Sequence, residues 1–176
     1  MRILVAGIGN IFFGDDAFGV EVVRVLMQRK WPAEVRVEDF GIRSYDLVYA
    51  IMDGYDAVIL IDATPRGQPA GTVSLIEPDV AALEADPDEV VNAHSMNPVH
   101  VLQMVRSLGG QIQQLYLVGC EPVVLETQEL GLSAPVQAAV PRAAEMIESL
   151  VCALRDGTVP DFVANPSSDD ARSRNG

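Results

Sequence analysis

The 176-residue chain is short of the residues from which proteins build self-contained metal centres. It has two cysteines, Cys120 and Cys152, far apart and in no C-x-x-C pattern, which excludes a cysteine-rich zinc module and suits a reducing compartment. It has two histidines, His94 and His100, so a histidine-rich metal centre is excluded as well. Positive charge is scarce: 12 lysines and arginines face 25 acids, and the net charge of −13 argues against nucleic acid and against an anionic membrane surface as partners. No segment approaches the roughly 18 consecutive apolar residues of a membrane span. The apolar start of the chain is broken by Gly7, Gly9 and Asn10 and ends in acids rather than a small-residue cleavage site, unlike a signal peptide. A cytoplasmic location is therefore expected. A G-x-S-x-G elbow, an H-E-x-x-H helix and a Walker loop are missing too.

What is present is an ordinary globular composition, 49% hydrophobic and 21% charged, in a chain long enough to bury one full core. Residues 1–155 read as a single α/β domain. From Asp156 to Gly176, Pro, Ser, Asp, Asn and Arg replace the apolar periodicity, and a disordered polar tail is expected.

The organising stretch is Arg2 to Val20. An apolar strand ends at Gly7, a Gly-Ile-Gly-Asn turn and the pair Phe12-Phe13 follow, and Asp15-Asp16 stand where a helix should begin. Open α/β sheets place their binding sites at such a strand-to-helix turn. A phosphate-binding turn keeps carboxylates away from its N–H groups, so the acid pair invites a cation instead. The helix after Asp16 carries Val20, Val23, Leu26 and Met27 and closes near Lys30. Glu34–Asp39 reads as strand two, Ser44 as the N-cap of a helix through Met52, and Ala57–Ile61 as a central strand ending in Asp62. The broken connection from Ala63 to Gly71 is too short for a crossover helix, so strand four, Thr72–Glu77, is expected antiparallel to strand three. Asn97-Pro98 starts another helix, Gln113–Val118 forms strand five, and the last helix runs from about Ser133 to Arg155 with a bend at Pro141. The pattern predicts a three-layer α/β fold: a five-stranded, mostly parallel twisted sheet with one antiparallel strand and helices on both faces.

Carboxyl ends of parallel strands share one edge. Asp16, Asp39, Asp62 and Glu121 all arrive there. The helix before strand five must descend from that edge, which brings His94, just ahead of it, to the same place. A helix N-terminus also disfavours the imidazolium, leaving a neutral ligand. Asp16, Asp62 and His94 thus form an open O,O,N set suited to nickel, zinc or a similar borderline cation. Blander roles compete. Asp15 is expected to be solvated or to cap the helix, Asp39 to orient loop backbone or work at the site, Glu121 to be exposed or, as the weaker alternative, to approach the site, Cys120 to be a small buried residue, and His100 to have no role. Phe12 and Phe13 either pack over the first helix or, if exposed, serve a protein partner. A dinucleotide fold competes on Gly7-Ile8-Gly9 and Asp39, but Phe12 occupies the third glycine position and the acid pair would repel a pyrophosphate.

With these residues placed, the chain resembles the hydrogenase maturation endopeptidases, which process the large subunit of nickel–iron hydrogenases. The resemblance spans about residues 2 to 155 and rests on G-I-G-N…D-D…G-V, I-D-A after strand three, H-S-M-N-P, L-V-G-C-E-P after strand five, and L-S-A-P-V…A-V-P in the last helix. It implies that Asp16, Asp62 and His94 bind the metal and that a C-terminal extension is removed from a precursor already carrying nickel, so the nickel comes with the substrate; zinc or cadmium are plausible stand-ins in a crystal. Asp39 is a candidate general base. The expected partner is the precursor of a hydrogenase large subunit, and a monomer is expected when free. Many relatives have an Asp-Gly-Gly-Thr type turn after strand two where this chain has Asp39-Phe40-Gly41-Ile42-Arg43, which bears on which precursor fits; Arg43 is a candidate contact for a carboxylate of that precursor. A non-catalytic nickel-binding chaperone on the same fold is the alternative.

Overall fold

The computed structural model describes residues 1–78, 98–125 and 130–158. Strands β1 (Ile3–Ile8), β2 (Val35–Gly41), β3 (Ala57–Ala63), β4 (Val73–Ile76) and β5 (Gln114–Cys120) form one sheet in the order β2-β1-β3-β5-β4. The first four strands in that order are mutually parallel, and β4 is antiparallel to β5 at the edge. The predicted mixed sheet is correct, but β4 is not the neighbour of β3. β5 lies between them, and the connection after β3 crosses the end of β5, where Thr64 N–H donates to the Cys120 carbonyl and Gly71 N–H to the Glu121 carbonyl, each at 2.8 Å.

Strand alternation divides the core. Ile3 and Val5 of β1 and Ile59 and Ile61 of β3 meet helices α1 (Phe18–Leu26) and α4 (Ala134–Arg155) on one face. Leu4, Ala6, Ile8, Val58 and Leu60 meet α2 (Ser44–Met52) and α3 (Pro98–Ser107) on the other. β3 is buried along all but one position, Asp62, as a central parallel strand covered on both faces must be. In α4, Val136, Ala139, Val140, Ala143, Ala144, Ile147, Leu150 and Val151 repeat at helical spacing and are buried. The helix continues through Pro141, which sits on its exposed side.

Several local expectations are adjusted. Asp15 and Asp16 lie in a 3₁₀ turn, Gly14–Ala17, ahead of α1 rather than at its first turn. Arg43, not Ser44, holds the N-cap position of α2. The expected cap Asn97 and the candidate ligand His94 fall outside the described residues, as does all but the first part of the expected tail.

The opening glycines are explained by backbone proximity. Gly9 has φ +127°, and a Cβ there would lie 1.8 Å from the Asp16 carbonyl oxygen. A Cβ on Gly19 would lie 2.1 Å from the Ile61 carbonyl oxygen. The loop after β1 and the start of α1 therefore press directly on the ends of β1 and β3, which no other residue type allows.

Candidate active site at the carboxyl edge

The carboxyl edge collects the ends of β1, β2, β3 and β5. Asn10 shapes the first loop: its side-chain oxygen accepts from Phe12 N–H at 3.0 Å and its carbonyl from Phe13 N–H at 3.1 Å. This turn leaves Phe12 63% exposed while Phe13 is half-buried. Of the two aromatic roles weighed above, Phe12 thus meets the condition for serving a partner.

Asp16 is half-buried, and its carboxylate accepts one backbone N–H, from Asn10 at 2.7 Å. Burial raises its pKa above the ordinary aspartate value, partly opposed by that hydrogen bond. Asp62 is the one incompletely buried residue of β3 and sits opposite Gly119 of β5. Burial pushes its pKa well up and the charge of Asp16 pushes it further; only the Ala63 N–H acts the other way. Among the described residues each carboxylate thus has one backbone N–H donor, and the charge of Asp16 bears on Asp62. Each charged form is disfavoured there, and a bound cation would reverse both effects.

Two further acids of the edge, Asp15 and Glu121, take structural positions. Asp15, expected to be solvated or a helix cap, is 2% exposed and accepts three hydrogen bonds: Val123 N–H at 2.8 Å, Ser133 N–H at 2.7 Å and Ser133 Oγ–H at 2.9 Å. Ser133 is the N-cap residue of α4, yet its hydroxyl serves Asp15 rather than the helix. Glu121, expected to be exposed, is 8% exposed and accepts Arg66 N–H at 2.7 Å and Gly67 N–H at 3.2 Å. Its burial would raise the pKa, but the N–H donors of Arg66, Gln68 and Gly67 win and hold it below the ordinary glutamate value. Cys120 is buried as expected, and burial, with the nearby Asp15 charge, pushes its thiol up to about 11, so it is no ready nucleophile.

Asp39 is half-buried and lines a groove of about 270 Å³ together with Asn10, Phe12, Arg24, Ile42 and Arg43. Phe40 is buried in the core against the α2–α3 layer, so the bulk added to this turn is presented by Ile42, which is 56% exposed. The Arg43 guanidinium donates to the carbonyls of Asp39 and Phe40 and pairs with Asp46. Among the described residues, no three metal-ligating side chains come together. α3 begins at Pro98, and β5 runs parallel to β3, so the chain enters α3 at this same edge.

The carboxyl edge of this open α/β sheet thus carries two acids well supplied with donors, Asp15 and Glu121, and two with raised pKa values, Asp16 and Asp62. The profile of the hydrogenase maturation protease family, HycI, matches residues 20–150. The hydrogenase 2 maturation protease of Escherichia coli (strain K12) is 33% identical over 162 residues, covering 90% of this chain and 94% of that protein. The hydrogenase expression/formation protein HupD of Rhizobium leguminosarum bv. viciae is 32% identical over 155 residues, covering 88% of this chain and 74% of that protein. Among solved structures, the hydrogenase maturating endopeptidase HybD from E. coli superposes with a TM-score of 0.73 at 30% identity, over 89% of this chain and 94% of that one. The chain belongs to the hydrogenase maturation protease family, whose members are peptide hydrolases. The resemblance drawn from short motifs, and the α/β sheet with one antiparallel strand, are thereby established.

Proposed function

We propose that this protease removes a C-terminal extension from the precursor of a nickel–iron hydrogenase large subunit, and that it recognises nickel already bound in that precursor through Asp16, Asp62 and His94. The observation that carries the reading is the pairing of Asp16 with Asp62: two partly buried carboxylates at the carboxyl edge, each with its charged form disfavoured and each with one N–H donor among the described residues. Such a pair is costly without a cation and well suited to one. Carboxylate oxygens, with an imidazole as third donor, are chemically apt for nickel arriving with the substrate, and the ion would supply Lewis acidity toward the scissile carbonyl or the attacking water.

The chain's own residues then have separable tasks. Asp16 and Asp62 hold the incoming centre from the β1 and β3 ends. Asp39, from the β2 end, is the proposed general base: it accepts a proton as water adds to the scissile carbonyl carbon and returns it to the amine as the C–N bond breaks. The exposed Phe12 and Ile42 offer apolar surface to the precursor beside this centre.

The test is the intact mass of a nickel-loaded large-subunit precursor before and after incubation, with a nickel-free precursor in parallel. Loss of a C-terminal fragment from the loaded sample alone is expected. Equal cleavage of both samples overturns recognition through nickel. An unchanged mass with a matched precursor overturns the cleavage and leaves a metal-binding chaperone.

A further inference from the structure

The metal-facing pair is described above, but the turn that carries Asp16 has a fastening of its own. Asp15 and Asp16 are consecutive in the Gly14–Ala17 turn, and their side chains go to different places. The Asp15 carboxylate, 2% exposed, is held by Val123 and Ser133, residues 108 and 118 positions away. Val123 follows β5, and Ser133 is the residue from which α4 departs. α4 is the longest helix among the described residues and packs along the core, so its N-terminus is a rigid mounting point. That end is also electropositive, which favours a carboxylate. Below the turn, the missing Cβ of Gly9 lets the Asp16 backbone settle onto the first loop. Asp16 is thus fixed from two sides.

We infer that Asp15 is a positioning residue for the reaction: its three hydrogen bonds bolt the Asp16 turn to the head of α4 and set where the Asp16 carboxylate stands relative to Asp62. This rests on the reading of Asp16 and Asp62 as the metal-facing pair. The mounting also links that pair to an exposed apolar stretch, because the groove of about 250 Å³ around Asp15 is walled by Val123, Val124 and Leu130, which are 52%, 47% and 82% exposed. A precursor resting on this stretch would press on the same hydrogen bonds that seat Asp16.

A merely structural tether would cost stability in proportion to its bonds and nothing more, and Glu121 supplies the control. It too is a buried carboxylate clamping backbone N–H groups at this edge, but it holds the connection after β3 rather than the Asp16 turn. The experiment compares Asp15→Asn, Ser133→Ala, Glu121→Gln, Asp16→Ala and wild type in cleavage of nickel-loaded precursor, at a temperature where circular dichroism shows each fully folded. Asp15→Asn is expected to lose about tenfold or more in kcat/KM, the scale of a displaced reacting group. Ser133→Ala, which removes one bond of three, is expected to lose about threefold, and Glu121→Gln to stay within about twofold. If Asp15→Asn does not fold, Ser133→Ala decides. Wild-type cleavage by Asp15→Asn or Ser133→Ala, or losses in all three variants that simply follow their melting temperatures, overturns the positioning role. Full cleavage by Asp16→Ala instead overturns the metal-facing pair itself, so the two failures are read apart.

Discussion

Of the carboxylates at one edge of the sheet, four divide into two opposite kinds of site. Asp15 and Glu121 are almost fully buried yet comfortable, because three donors and at least two donors respectively reach them. Asp16 and Asp62 are uncomfortable, because burial disfavours the charge of each, the charge of Asp16 adds to this at Asp62, and only one N–H apiece among the described residues opposes it. All four acids are at least partly buried; what separates the two pairs is the supply of N–H donors. The satisfied pair holds loops in place, while the other pair is left short of donors. This is the usual mark of a functional site, where part of the stability is given up to keep groups reactive.

The strongest way to break this contrast is Asp62→Asn. Cleavage of nickel-loaded precursor should fall by about a hundredfold or more, the scale of a lost reacting group, while the fold becomes more stable. The sign follows from the raised pKa. An acid that binds its proton more tightly when folded costs the native state increasingly as pH rises from the ordinary value of 3.8 through the raised one. The amide removes that cost, so thermal melts at neutral pH should place the variant above wild type and converge with it in acid. A variant that processes precursor normally, or that melts below wild type at neutral pH, would remove Asp62 from the strained pair.

The satisfied pair should behave in the opposite sense. Asp15→Asn replaces one acceptor oxygen with an NH₂ group that confronts existing donors, and should cost on the order of 3 kcal/mol. For a chain of this size that corresponds to a melting temperature lower by about 6–12 °C. A loss near zero would mean that the three hydrogen bonds at Val123 and Ser133 do not hold the turn. Glu121→Gln should show a smaller loss with a distinctive pH dependence. Because folding lowers the Glu121 pKa, its stabilisation is complete above the ordinary glutamate value of 4.5 and disappears as pH falls through the lowered value. Urea melts should therefore show a deficit at neutral pH that closes in acid. A deficit independent of pH would assign the loss to packing rather than charge.

These two kinds of acid were unequally legible in the sequence. Asp16 and Asp62 follow apolar strands, and strand ends at a carboxyl edge are local features that one pass along the chain can see. The roles of Asp15 and Glu121 were hidden because their donors are remote: Val123 and Ser133 for one, Arg66 and Gly67 for the other. Nothing near Asp15 announces its donors, and the sequence marks Ser133 only as the approximate start of the last helix. The short broken connection correctly indicates a β4 antiparallel to β3, but that β5 lies between them depends on pairing with a strand much later in the chain. The sequence shows Gly7 and Gly9 as a turn, whereas their tightest constraint is the close approach of backbone further along the chain, Gly19 for the first and Asp16 for the second.

The smallest expected effect concerns Arg43, where the sequence suggested a contact for a carboxylate of the precursor. In the folded chain the guanidinium already has work: it donates to the Asp39 and Phe40 carbonyls and pairs with Asp46, all within the turn after β2. Those carbonyls lie beside Asp39, so the cation closes the turn rather than extending from it. Arg43→Gln should accordingly cost less than about 1 kcal/mol, as exposed pairs do, and leave KM for nickel-loaded precursor within about threefold. Ile42→Ala, which trims the exposed apolar residue next to it, should raise KM more than Arg43→Gln does, since Ile42 is an apolar side chain this turn leaves exposed. A tenfold rise in KM for Arg43→Gln would mean that the guanidinium leaves its carbonyls to meet the precursor, and that the cation, not the apolar residue, reads the substrate at this end of the edge.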